Sequence, residues 1–158
     1  MARGLFQYPF DQNVPQGVTV EIKLKMAPRY WTSAVELLRY LSENWPFDEA
    51  DQFVAKEISP DARCTTTGDV ALHFVAGWND VRGIELLVNA GATIDVLGDM
   101  GCTPLASAVS SGSIDAVRLL LSLGASPDIR SEFGRSPAES AALEGSEEMK
   151  NAFRGAAI

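Results

Sequence analysis

The chain has 158 residues, 46% of them hydrophobic and 22% charged, the profile of one ordinary soluble domain. No apolar run approaches the ~18 residues that a spanning helix needs, and Pro9 and Asp11 interrupt the stretch where a signal peptide would keep its apolar core, so a cytoplasmic location with no membrane partner is expected. Net charge is -8, and residues 64–158 carry 12 acidic against 6 basic groups; nucleic-acid binding rests on phosphate neutralisation by Lys and Arg, so nucleic acid is disfavoured and a basic protein partner favoured, the alternative being that the acidity only maintains solubility.

In chain order, residues 1–28 read as an amino-terminal arm. Pro9, Pro15 and Gly17 punctuate its first part, and Val18 to Met26 then alternates apolar and polar residues as a half-buried β-strand does. A lone strand needs a partner: the arm, a second copy of the chain or another protein. From Arg29 the period becomes helical, with Trp31, Ala34, Val35, Leu38 and Leu41 on one face, ending near Asn44. Pro46 breaks this helix, Asp48 can cap a second one, and Phe53, Val54 and Ile58 supply its apolar side. Ser59-Pro60-Asp61-Ala62-Arg63 echoes Ser126-Pro127-Asp128-Ile129-Arg130, so residues 29–63 are expected to form a diverged amino-terminal repeat with a longer first helix.

Repetition governs the remainder, residues 64–158. Gly68, Gly101 and Gly134 are spaced by 33 residues and open units at 68–100, 101–133 and 134–158. In the middle unit, Thr103 can accept an orphan backbone N–H and Pro104 loses no hydrogen bond at the first helical position. Gly112 ends that helix, Ser113 can cap the next, whose apolar positions are Ile114, Val117, Leu120 and Leu121, and Gly124 stops it. Pro104 and Gly112 recur as Pro137 and Gly145. The first unit has Val70-Ala71 in place of Thr-Pro, leaving Asp69 as its candidate cap, while Ser136 and Glu139 form a capping box in the third. The last helix, from about Glu147 to Phe153, has lost the Leu-Leu pair and is charged, as a terminal repeat facing water should be.

Gly-x-Thr-Pro-Leu followed by a second helix ending Leu-Leu-x-x-Gly-Ala, at a period of 33, resembles the ankyrin repeat over Thr65 to about Arg154. The resemblance implies an all-α solenoid of stacked helix-turn-helix units with β-hairpin fingers along one edge and a concave binding face. It also implies a structural role for His73, the single histidine, in hydrogen bonding between neighbouring fingers.

No H-E-x-x-H, C-x-x-C or G-x-G-x-x-G pattern is present, so neither an enzyme nor a metal or cofactor site is expected. Cys64 and Cys102 fall at different points of the repeat and read as free thiols in a reducing compartment. The variable positions of the ankyrin pattern fall on Thr66, Thr67, Asp69, Gly77 and Trp78, then Asp99, Met100, Cys102, Ser110 and Ser111, then Glu132, Phe133, Arg135, Leu143 and Glu144. Trp78, Met100 and Phe133 among carboxylates have the anatomy of a binding hot spot, the alternative being that Trp78 and Phe133 pack within the stack. The function expected is protein binding on a concave, acidic face, as an inhibitor or immunity protein of a basic effector enzyme; the alternative is an adaptor, assembly factor or scaffold that self-associates through the strand. A monomer is expected in the first case and a homodimer becomes possible in the second.

Overall fold

Two rows of short helices lie side by side in a computed structural model that describes residues 34–44 and 59–156. The helices are α1 (Ala34–Asn44), α2 (Ala71–Gly77), α3 (Val81–Asn89), α4 (Pro104–Ser110), α5 (Ile114–Ser122), α6 (Pro137–Glu144) and α7 (Glu147–Ala156). Within each unit α2 pairs with α3, α4 with α5 and α6 with α7. Between units α2, α4 and α6 form an inner row, and α3, α5 and α7 an outer one. The fold is therefore the expected all-α repeat. The arm, the strand at 18–26 and the helix expected after Asp48 lie outside the described residues.

Local chemistry starts these helices. Thr103 Oγ1 accepts the Ala106 N–H at 3.2 Å, and Pro104 occupies the first turn of α4. Ser136 and Glu139 complete the capping box of α6, Ser136 Oγ accepting the Glu139 N–H and Glu139 the Ser136 N–H. A helix pair of this length cannot cover its own apolar side, so the core runs through the stack: Leu72, Val75, Ile84, Leu87, Leu105, Val117 and Leu120 are all fully buried. Each large side chain removed from water in this way contributes about 1.5–3 kcal/mol.

Four local expectations are corrected. Helix α1 packs against α3, in the outer row, instead of serving as the first helix of its unit. Its buried residues are Leu37, Leu38 and Leu41, and Val35 points outward at 44% exposure. Asp69 does not cap α2. Val70 is the residue before the helix, and the His73 ring accepts its N–H at 3.2 Å. Ser113 does not cap α5, because its hydroxyl donates to the Gly77 carbonyl at 2.9 Å. Gly145 is not a second Gly112: Gly112 turns the chain with φ 68, whereas Gly145 is extended at φ -71, where a Cβ would stand 2.3 Å from the Ala141 carbonyl oxygen. Glycine is needed there for space, not for handedness.

Candidate functional site

Three fingers project from the inner row, and they are tight turns rather than strands. An antiparallel bridge between Arg63 and Val70 closes the first, a Gly98 N–H to Cys102 carbonyl bond of 2.8 Å the second, and a Ser131 N–H to Arg135 carbonyl bond of 3.1 Å the third. Met100 and Gly101 both have positive φ, 51 and 67, and the Cys102 N–H reaches the Asp99 carbonyl at 3.0 Å. That is a type I′ turn, whose first position favours Asn, Asp or Gly. Met100 therefore holds a backbone conformation that costs a methionine about 1 kcal/mol or more, with its side chain 42% exposed.

Hydrogen bonds lock each finger to the next. Asp69 Oδ1 accepts the Asp99 N–H at 2.9 Å, and the Met100 carbonyl accepts the Glu132 N–H at 2.9 Å. His73 Nδ1 accepts from Val70, so Nε2 carries the proton and donates to the Cys102 carbonyl at 3.0 Å. This is the inter-finger role that the resemblance implied. Gly98 is what permits it, since a Cβ there would meet Asp69 Oδ1 at 2.1 Å and His73 Nε2 at 2.7 Å. Burial holds the His73 imidazole below its usual pKa, against the opposing pull of Asp69. Arg63 joins the same junction, donating to the Gly68 and Leu97 carbonyls at 2.9 and 2.8 Å.

The expected site residues separate into two sets. Asp69 is spent on Asp99, and Thr67 accepts the Asp69 N–H at 3.2 Å, so both serve the finger itself. Trp78 is half-buried against the core, its ring 5.9 Å from that of Phe74. Ser111 and Gly77 are likewise half-buried, and Gly77 binds Ser113. Glu144 pairs with Arg135. On the open side remain Thr66, Ser110, Met100, Phe133 and Leu143, the last two 69% and 67% exposed.

Charge is distributed in the same uneven way. Every Lys and Arg from 63 to 156 donates to a protein acceptor: Arg82 to Glu85, Arg118 to Asp115 and Glu148, Arg130 to Gly134 and Glu139, Arg135 to Glu144, Lys150 to Glu147 and Arg154 to Asn151. Among residues 59–156, only the carboxylates of Asp99, Asp128 and Glu132 lack a hydrogen-bond or ion-pair partner. Asp99 and Glu132 occupy equivalent places on adjacent fingers, each immediately before an exposed apolar residue, Met100 and Phe133.

Behind these tips a groove of about 200 Å³ runs between the second and third fingers and the ends of α4 and α6. Ser136, Pro137, Ala106 and Val109 form its less exposed part, with Phe133, Ser110 and Arg135 at the rim. Cys102 also lines it. Burial raises the Cys102 thiol pKa, and Asp69, Asp99 and Glu132 raise it further, the opposite of the setting a reactive cysteine needs. Among the described residues no three potential ligands converge as a metal site, and no helix is long and apolar enough to cross a membrane.

Stacked helix pairs with interlocked fingers define a helical repeat scaffold. Residues 32–131 match the family model for ankyrin repeats in three copies, and the chain belongs to that family. A comparison with curated proteins gives no match. Ankyrin repeats are general protein-protein interaction modules.

Proposed function

We propose that the chain is a non-enzymatic module that binds a basic protein across its second and third fingers. The observation that carries this reading is the pairing of two partnerless carboxylates, Asp99 and Glu132, with two exposed apolar side chains, Met100 and Phe133, on a surface whose basic groups are already engaged. Carboxylates that no internal cation neutralises steer a positively charged protein toward the surface, and apolar groups that packing does not need supply the contact area once it arrives. In its concrete form the partner is a basic effector enzyme in the same cytoplasm, and the module its inhibitor or immunity protein.

The test is capture of partners from source-cell lysate by the wild type and by a Met100→Ala/Phe133→Ala variant. Trp78 is left intact because it packs on the core. A basic protein held by the wild type, released at high salt and lost from the variant is the expected result; toxicity of that protein when expressed alone would identify the inhibitor role. Equal retention on both baits would remove the fingertips from the interface.

A further inference from the structure

The groove behind the fingertips has a size and lining that say which part of a partner it takes. We infer that it is a subsite for one large apolar side chain, Leu, Met, Phe or Trp, belonging to a partner segment whose neighbouring Lys or Arg meets Asp99 and Glu132. This deepens the proposed function and rests on it.

At about 200 Å³ the groove is smaller than the ~300–1,000 Å³ of small-molecule sites but large enough for a single side chain. Ala106, Val109 and Pro137 offer carbon surface, and the largely exposed Phe133 ring stands beside them as a wall that nothing among the described residues covers. The one cation at the rim, Arg135, is held by Glu144, so it neither needs nor recruits an acidic ligand. Charge complementarity then fixes the neighbour of the apolar residue. The Glu132 N–H is bonded to the Met100 carbonyl, which brings the two finger tips together; Glu132 lies between Ser131 and Phe133 of the groove lining, and the Asp99 carbonyl accepts the N–H of Cys102, also in the lining. A cation on the residue adjoining the buried side chain lies against these two carboxylates, whereas an acidic neighbour would be repelled.

The experiment is selection of a phage-displayed random dodecapeptide library on the immobilised wild-type protein. Its clones are then titrated against Ser110→Trp, which fills the groove from an exposed position, and against Asp99→Asn/Glu132→Gln, with circular dichroism checking that each variant is folded. Expected are clones with a large apolar residue within two positions of Lys or Arg, bound at least tenfold more weakly by both variants, and with little salt dependence left on the charge variant. Clones without that pair, clones indifferent to Ser110→Trp, or no enrichment at all would overturn the inference. Met100 does not line the groove, so the two readings separate. A captured protein lost on Met100→Ala but retained by Ser110→Trp keeps the fingertip function and removes the subsite; one insensitive to both removes the two together.

Discussion

Asn79, in the turn after α2, accepts the Ala116 N–H of α5 through its Oδ1 at 2.9 Å, so the amino terminus of one unit's outer helix is capped by the unit before it. Asn79 adopts φ 58 to do so and places its Nδ2 3.2 Å from Asp115. Asparagine is one of the few residues that tolerates this backbone and can also cap. Two aspartates do comparable work elsewhere: Asp61 accepts the Thr93 N–H and Asp95 the Ser126 N–H, each at 2.9 Å. The stack is thus joined by side chains reaching across units as well as by its apolar core.

Asn79→Ala is expected to destabilise the protein by about 2 kcal/mol, through loss of the cap and strain at positive φ, while Asn79→Gly, which relieves the strain, should cost only about 1 kcal/mol. Urea denaturation of the two variants checks this. Equal losses would mean that the backbone conformation contributes nothing.

Met100→Asn should stabilise the protein by about 0.5–1 kcal/mol, because Asn-Gly is the preferred type I′ pair. The same change removes an exposed apolar side chain from the fingertip and should weaken partner binding. Stability measured by denaturation and binding measured by capture would move in opposite directions; a variant no more stable than wild type would show that the turn carries no strain.

His73 makes stability depend on pH in one direction. Its folded-state pKa lies below the unfolded value of about 6.5, so the neutral ring's contribution is fully present above that pH and declines as pH falls through the folded value. Protonation would also put a proton on Nδ1, which accepts the Val70 N–H. Melting temperatures from pH 7.5 to 5 should fall for the wild type more than for His73→Gln, converging at the acid end. Parallel curves would argue against a proton-linked junction.

Cys102 should alkylate more slowly at pH 8 than an unperturbed thiol, since burial and nearby carboxylates disfavour its thiolate. Asp99→Asn/Glu132→Gln removes two of those carboxylates and should accelerate the reaction several-fold in the folded protein. Cys64 is buried and provides the internal control. No change in rate would place the two carboxylates too far from the groove to act on a ligand there.

Features decided within one unit are legible in the sequence. Thr103-Pro104 and Ser136-Pro137 start helices, Gly112 and Gly124 turn the chain, and the 33-residue spacing of Gly68, Gly101 and Gly134 requires stacking, because those effects act over a few residues of backbone or repeat identically. Which polar and aromatic groups are consumed depends on how the units pack on one another. Asp69, Asn79 and Asp95 bond to residues 30, 37 and 31 positions away, Trp78 is taken up by Phe74 and the core, and Asp99 and Glu132 are left over. The physical reason is that a carboxylate's partner is set by how one unit is superposed on the next. That superposition is a property of the packed stack, and neither the periodicity nor the composition of any single unit contains it.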